Sequence, residues 1–458
     1  MFQGSLFPEN ALELVVRNEL KSSNGDHEEL AIQILEQSHT KESSNPLLDC
    51  RRLVITYRTS NDPRHARTLD VCYVIRPEED DDENIPPEPG RRKLRRFYDK
   101  ELDFYSDVMP RLRPHVAPPG FCPELLMHDR DGFCMFFENP ERRGFRRVVK
   151  QTWSTSKIHA IAKTMARFQA AAWLTDRVRG GRPLHEDHPW LLRRRSSNEE
   201  AEIRGMNRQI RFIERIARDE LRKSPKWIRR VIMGGYRLVR DWPDADGRLQ
   251  MTLSHGRTWC SEILFRVNLE PVAWFRDWNM VRYAPLTLDL VQFVYIRCDR
   301  NTRLYALHQI IKAYHEELER CLLRGGVPQE DVPSREAIRK EFDELRLAGL
   351  HYAALYVPTT AIGYGALLRQ TADNNAQELL EKLNRLHAAD HAKLLEHYRL
   401  DEAYQGRINE LVLEIVRYGE EEHEAREREA KEREERRQWR LFKRLRVWVE
   451  DTILPRRR

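Results

Sequence analysis

Apolar positions in residues 9–38 fall into two clusters with helical spacing. Leu12, Leu14, Val15, Val16 and Leu20 form the first; Leu30, Ile32, Ile34 and Leu35 form the second. Two helices are expected there, closed by the polar stretch HTKESSNP (39–46). RRLVITYRT (51–59) and ARTLDVCYVIRP (66–77) are rich in β-branched and aromatic residues and predict strands joined by the turn SNDPRH. An acidic, proline-rich loop, EEDDDENIPPEPG (78–90), leads to a helix at RRFYDKELDFYSDVMPRL (95–112). A proline-rich connection and strands around ELLMH and GFCMFFEN complete a small α+β unit that ends near Asn139.

From Ser154 the spacing is mainly helical, strongest in IHAIAKTMARFQAAAWL and continuing through 195–240 and 302–325. ILFRVN and EPVAWFRDWN predict two short strands around a turn, and helical spacing returns from Arg335 to Tyr418. At Gly419 the chain changes character and enters EEEHEAREREAKEREERR. No internal repeat is present.

Composition adds bounds to this picture. A chain of 458 residues suffices for two or three units with a sizeable core, and 40% apolar content is near the globular norm. Charged residues reach 33%, much of it near the C-terminus, which suggests a folded body with a solvated appendage. The net charge of +6 arises from 79 basic and 73 acidic residues, too even a balance to suggest a nucleic-acid partner. Seven cysteines without CxxC spacing suggest reduced thiols, filling space as small hydrophobes in a cytoplasmic protein. The first residues lack the basic-then-apolar signature of a signal peptide, and no run of about 18 apolar residues predicts a membrane span.

Four motifs carry candidate chemistry: FYDKELDFYSDVMP (97–110), FFENPERRGF (136–145), LSHGRTWCSEILF (253–265) and FRDWNMVRYAPLTLDLVQF (275–293). In order and spacing they resemble those of the ecdysteroid kinase-like (CHK kinase-like) proteins of insects and nematodes. The family patterns are F-x-x-E-x-x-F-Y-x-x-x-x-P, an acidic hinge entering a Gly-aromatic turn, H-G-D-x-W-x-N-N-x-x-F, and I-D-F-Q-x-x-R-Y-x-x-x-x-x-D-L. The fourth motif fits best, with Asp277, Arg282, Tyr283, Asp289 and Leu290 in register. The resemblance spans roughly residues 10–400. It implies a bilobal α+β, protein-kinase-like fold related to choline and aminoglycoside kinases. A small α+β N-lobe would cap a larger, mainly helical C-lobe, with ATP and magnesium between them.

Phosphoryl transfer in such folds rests on positioning and charge neutralisation. The resemblance assigns the helix glutamate to Glu101, the hinge acid to Glu138 and a metal carboxylate to Asp277. Elsewhere the chain departs from the pattern. The phosphate lysine is expected at Val74, and the nearest cation is Arg76. The phosphate loop region SSNPLLDCRR has no glycine, which hinders close backbone approach to phosphate. Arg257 follows His255 where the catalytic aspartate belongs, Glu262 replaces the metal asparagine, and Gln169 replaces a histidine common on the helix after the hinge. Glu262 and Asp277 could offer magnesium hard oxygen ligands. A cation beside them opposes this, because a unit charge and a dication about 4 Å apart repel by roughly 8 kcal/mol at an effective dielectric of about 20.

Structural roles compete for the same residues. His255 suits a backbone brace, Glu101 an ion pair, Asp277 a partner for Arg257, and Trp259 and Trp278 suit the core. In the tail, Glu-to-basic pairs at i,i+4 between 420 and 437 support a solvated helix, and no apolar heptad runs through it. Leu441, Phe442, Leu445, Trp448 and Val449 then share a helical face, with Arg440, Lys443, Arg444 and Arg446 largely elsewhere. Such a helix suits an anionic membrane surface or a calmodulin-like partner; docking back on the C-lobe is the other reading.

The expected organisation is an N-lobe over 1–138, a C-lobe over 139–418 and a charged helical tail over 419–458. The expected function is that of a catalytically degenerate small-molecule kinase, a pseudokinase with a binding or regulatory role. One alternative is an active ATP- and Mg2+-dependent phosphotransferase acting on a hydroxyl of a steroid-like or other small lipophilic ligand. The other is an interaction module working through the tail.

Overall fold

The computed structural model describes residues 9–24, 31–41, 50–60, 62–75, 89–128, 134–147, 154–192, 199–241, 250–258, 263–266, 270–361 and 391–452. The N-lobe opens with helix α1 (Glu9–Asn24), followed by strands β1 (Ile32–Lys41), β2 (Cys50–Thr59) and β3 (Asp62–Ile75). Helix α2 (Pro89–Asp103) continues through a π-helical turn at Phe104–Val108 into a last turn at Met109–Leu112. Strands β4 (Leu125–His128) and β5 (Cys134–Glu138) complete an antiparallel sheet of order β1-β2-β3-β5-β4.

The sheet explains which way each side chain of β3 points. Leu69, Val71 and Tyr73 alternate onto the face that α1 covers with Leu12, Val15, Val16 and Leu20. Cys72 and Val74 point the other way and merge with the core of the second lobe. The second helix expected within 9–38 is instead β1. Ile32 pairs with Thr59 and Ile34 with Tyr57, so period-two pairing with β2 overrides the short helix-like cluster. The hairpin after β2 is also tighter than SNDPRH suggested, since Thr59 already pairs with Asp62.

The larger lobe is mainly helical. Its central helix α3 (Thr155–Val178) is buried on nearly every side, as the small residues Ala170, Ala171 and Ala172 permit. Around it run α4 (Glu199–Arg215), α5 (Lys226–Asp241), α6 (Leu288–Arg297), α7 (Arg300–Arg324), α8 (Arg335–Glu344), α9 (Arg346–Thr360) and α10 (His391–Leu400). Arg167 on α3 meets Glu317 on α7 at 2.9 Å, both largely buried. A ribbon of β7 (Met251–Ser254) with β10 (Arg282–Pro285), and a sheet of β6 (Arg146–Arg147), β8 (Ile263–Arg266) and β9 (Val272–Phe275), lie under the N-lobe. β7 and β10 were not expected from the sequence: RYAP lacks strand periodicity, and its pairing with β7 supplies the order. Cys72, Cys122, Cys134, Cys298 and Cys321 are free thiols. Among the described residues no helix is long and apolar enough to cross a membrane.

The chain ends in one helix, α11 (Glu402–Thr452), about 75 Å long at 1.5 Å per residue. Tyr404, Ile408, Leu411, Val412, Ile415 and Val416 bury its first half against the C-lobe. The helix runs on through Gly419, where an added Cβ would stand 2.6 Å from the Trp227 side chain. Contact continues a turn further, through the Arg346–Glu421 pair at 3.2 Å and the Trp227 and His423 rings. From Arg426 to Arg440 every side chain is exposed. Pairs such as Glu429–Arg433 at 3.5 Å and Glu432–Arg436 at 3.6 Å line that segment, each supporting the helix by about 0.3–0.5 kcal/mol.

Truncation discriminates the two halves of α11. A chain ending after Arg428 should keep its thermal midpoint within about 2 °C, as only exposed pairs are lost. One ending after Asn409 gives up four buried aliphatic side chains, each worth about 2–5 kcal/mol, and should lose its cooperative transition. Equal midpoints in a thermal melt would show that α11 contributes nothing to the core.

Candidate active site

The site is built where the β7–β10 ribbon delivers two motifs side by side, pairing Ser254 with Arg282 and Leu253 with Tyr283. Beyond β7 the chain turns sharply through His255, Gly256 and Arg257. The carboxylate of Asp289, in the first turn of α6, holds that turn. It accepts from Ser254 Oγ at 2.8 Å, from the His255 amide at 2.7 Å and from the Gly256 amide at 3.0 Å. Gly256 sits at φ +78°, and a Cβ there would stand 2.5 Å from the Met280 carbonyl oxygen. Only glycine meets both conditions.

His255 is 2% exposed and serves the loop with both nitrogens. Nδ1 accepts the Arg257 amide at 3.2 Å, so Nε2 carries the proton and donates to the Arg276 carbonyl at 2.9 Å. Burial pushes its pKa down to about 3. The ring is therefore a neutral brace whose acceptor nitrogen is already filled.

Arg257 extends from this turn into the space between the lobes. Its Nη1 lies 4.0 Å from Asp277 Oδ2 and 3.4 Å from Asn279 Oδ1. Asp277 follows β9 at φ +61°, a left-handed conformation that aspartate tolerates better than most residues. From α2, Glu101 reaches the same point and accepts the Trp278 amide at 3.1 Å. Burial, and then the neighbouring Asp277 carboxylate, push the Glu101 pKa up to about 8. Trp278 beneath them is fully buried and stacks on Phe104 at 4.5 Å. Glu101, Asp277, Arg257 and His255 thus converge, as the motifs led one to expect.

Other assigned residues lie elsewhere or are already engaged. Glu138 accepts the Glu124 amide at 2.9 Å and pairs with Arg143 at 2.6 Å, so its carboxylate is committed within the hinge. Gln169 donates to the Leu286 carbonyl and accepts from Tyr314, bracing α3 against α7. Val74, where the lysine was expected, does face the space between the lobes. Arg76, Glu262, Trp259 and most of the glycine-free loop lie outside the described residues.

The space itself is small. Cys72, Val74, Tyr105, Phe137, Pro140 and Asp277 enclose a cavity of ≈ 20 Å³, room for about one water and far below the several hundred Å³ of a ligand site. Tyr105, packed edge-on against Phe137 at 5.0 Å, forms part of its wall. The described residues therefore do not fit a magnesium–nucleotide complex: the cavity between them is too small, and a guanidinium stands beside Asp277. Among the described residues no group of three or more His, Cys, Asp or Glu side chains could hold a metal ion.

Two residues that shape the site were not singled out from the sequence, nor was the role of a third. Gly256 and Asn279 gave no signal beyond their place in the motifs. Asp289 stood in register, but its hold on the loop depends on a contact across 33–35 residues of chain.

The comparisons with known proteins bear on this geometry. The model of the ecdysteroid kinase-like family matches residues 86–326, just over half of the chain. Among solved structures the chain is similar to a Plasmodium vivax ethanolamine kinase, at 11% identity and TM-score 0.33, covering 78% of this chain and 90% of that one. It is also similar to a choline/ethanolamine kinase family protein from Mesorhizobium loti, at 12% identity and TM-score 0.28, covering 87% and 98%. Likenesses that loose carry no functional weight. No curated protein matches.

Two outcomes test the local geometry. Gly256→Ala should destabilise the fold by about 1–3 kcal/mol in a denaturant melt, from backbone strain and the Met280 clash; an unchanged midpoint would overturn the packing described. The second concerns pH. Glu101 titrates near 4.5 when unfolded and near 8 when folded, so its contribution to stability is full below pH 4.5 and lost as pH rises to 8. His255 works the other way, contributing fully above 6.5 and losing that contribution as pH falls to 3. The stability of Glu101→Gln relative to the natural protein should therefore climb between pH 5 and 8 and level off above. Parallel stability curves across that range would show that Glu101 titrates alike in both states.

Proposed function

We propose that this chain, which belongs to the ecdysteroid kinase-like family, is a pseudokinase that uses a kinase-like phosphotransferase fold for binding or regulation. One observation carries the reading. Arg257, at the position of the catalytic aspartate, lies 4.0 Å from Asp277, at the position of the metal carboxylate. A guanidinium there removes the base and places a positive charge where the metal's charge would stand. Loss of a positioned base alone lowers rates by about 10²–10⁴. Val74 in place of the phosphate lysine, and the side chains that close the cavity, support the same conclusion.

On this reading Arg257 replaces the metal as the counter-charge for the acids. Glu101 from the N-lobe and Asp277 from the C-lobe converge in a water-poor space, and unopposed they would repel. Proton retention by Glu101 and the Arg257 charge together relieve that conflict. The lobes are then held by the protein's own charges, without a ligand.

The exposed segment of α11 from Arg426 to Arg440 favours a second, compatible role in attaching the body to an anionic membrane or a calmodulin-like partner, while the side chains of Leu441, Phe442, Leu445, Trp448 and Val449 lie outside the described residues. Trp439 is 61% exposed and Lys443 sits over its ring at 5.1 Å.

ATP with magnesium at millimolar concentration should leave the thermal midpoint unchanged. A 10 µM site would add about 2.7 kcal/mol at 1 mM, and a magnesium-dependent rise of that order would overturn the pseudokinase reading. Arg257→Ala should destabilise the fold by about 1–3 kcal/mol by exposing the acids to each other. Arg257→Asp should destabilise it further, with partial recovery on adding magnesium. A neutral effect of both changes in a denaturant melt would remove Arg257 from its proposed role.

A further inference from the structure

We infer that a groove behind the hinge binds a small, uncharged, largely apolar molecule. The groove lies on the far side of the wall that closes the inter-lobe cavity, and the two spaces share Tyr105, Pro123 and Glu138. Its volume is ≈ 680 Å³, within the range of small-molecule sites. It is thus over thirty times roomier than the cavity it backs onto.

Three features specify what the groove takes. The first is preorganisation. The loop that forms its floor is pinned from the other lobe by Trp274 Nε1 on the Pro119 carbonyl at 3.1 Å, Arg167 Nε on the Gly120 carbonyl at 3.1 Å, and the Phe275 amide on the Phe121 carbonyl at 2.7 Å. A concavity so fixed needs little ordering when a ligand arrives. The second is charge. Its four ionic side chains cancel in pairs, Arg113 with Glu124 at 2.9 Å and Arg143 with Glu138 at 2.6 Å. A charged ligand would have to break one of these pairs; a neutral one leaves both intact. The third is the lining. Met109, Val116, Pro118, Pro119 and Leu125 offer apolar surface.

A ligand seated there touches Tyr105 and Glu138, the residues that close the cavity on the other side. Occupancy of the groove would hold that wall in place, which gives a fold without a nucleotide site a small-molecule input. The inference does not depend on the loss of catalysis, since the groove and the cavity are separate spaces.

Nile red, an uncharged fluorophore of suitable size, serves as the probe, titrated into the full-length protein. The natural protein should bind it saturably, near one per chain, with a blue-shifted emission. Val116→Trp, which fills the groove from its loop, should weaken binding at least tenfold while the circular dichroism spectrum and thermal midpoint stay unchanged. Arg113→Trp, at the exposed rim, should do the same, and it stands in should Val116→Trp fail to fold. Absence of saturable binding by the natural protein, or unchanged affinity in a folded variant, would overturn the inference.

Discussion

Three hydrogen bonds to one buried carboxylate organise this molecule's centre. Asp289, at the start of α6, gathers the Ser254 hydroxyl and the amides of His255 and Gly256. Burial raises its pKa, and the three donors oppose that shift by favouring the charged form. The turn so formed forces Gly256 into left-handed backbone, seats His255 between two backbone partners, and aims Arg257 at Asp277. Every feature of the inter-lobe space follows from that anchor. It is retained although the residue it positions, Arg257, is chemically unlike an aspartate base.

The site sets Arg257 and a glutamate that keeps its proton toward alkaline pH, Glu101, around one buried aspartate, Asp277. Aromatic packing replaces ligand as filler: Phe104, Phe168 and Phe121 surround Trp278, and Tyr105 closes on Phe137. Such packing is dense and leaves little compressible space.

Much of this was legible in the sequence because it is local or carried by short motifs. Glu101, His255, Arg257 and Asp277, which come from three of the four motifs, lie together, and the alternation of β3 was enough to turn Val74 toward the space between the lobes. What could not be read depends on distant partners. Ile32 and Ile34 have the same spacing in an incipient helix as in a strand, and only pairing with β2 decides between them. The strand at RYAP exists because MTLS lies beside it. Glu138 stands in a motif, yet its carboxylate is spent on Arg143 within that motif and on Glu124 outside it. The change of composition at Gly419 is real, but the helix is indifferent to it, since backbone hydrogen bonding continues and the missing side chain admits Trp227.

That last contact fixes a phase. α11 is seated on the body as far as His423 and is exposed from Arg426, so the azimuth of its distal face is set by the residue count between the two. Each residue turns a helix by 100°. One residue inserted in the exposed segment would rotate the far end by more than a quarter turn, whereas four would return it nearly to its starting direction. Exchanging one charged residue for another in that stretch leaves this direction alone, whereas changing its length does not.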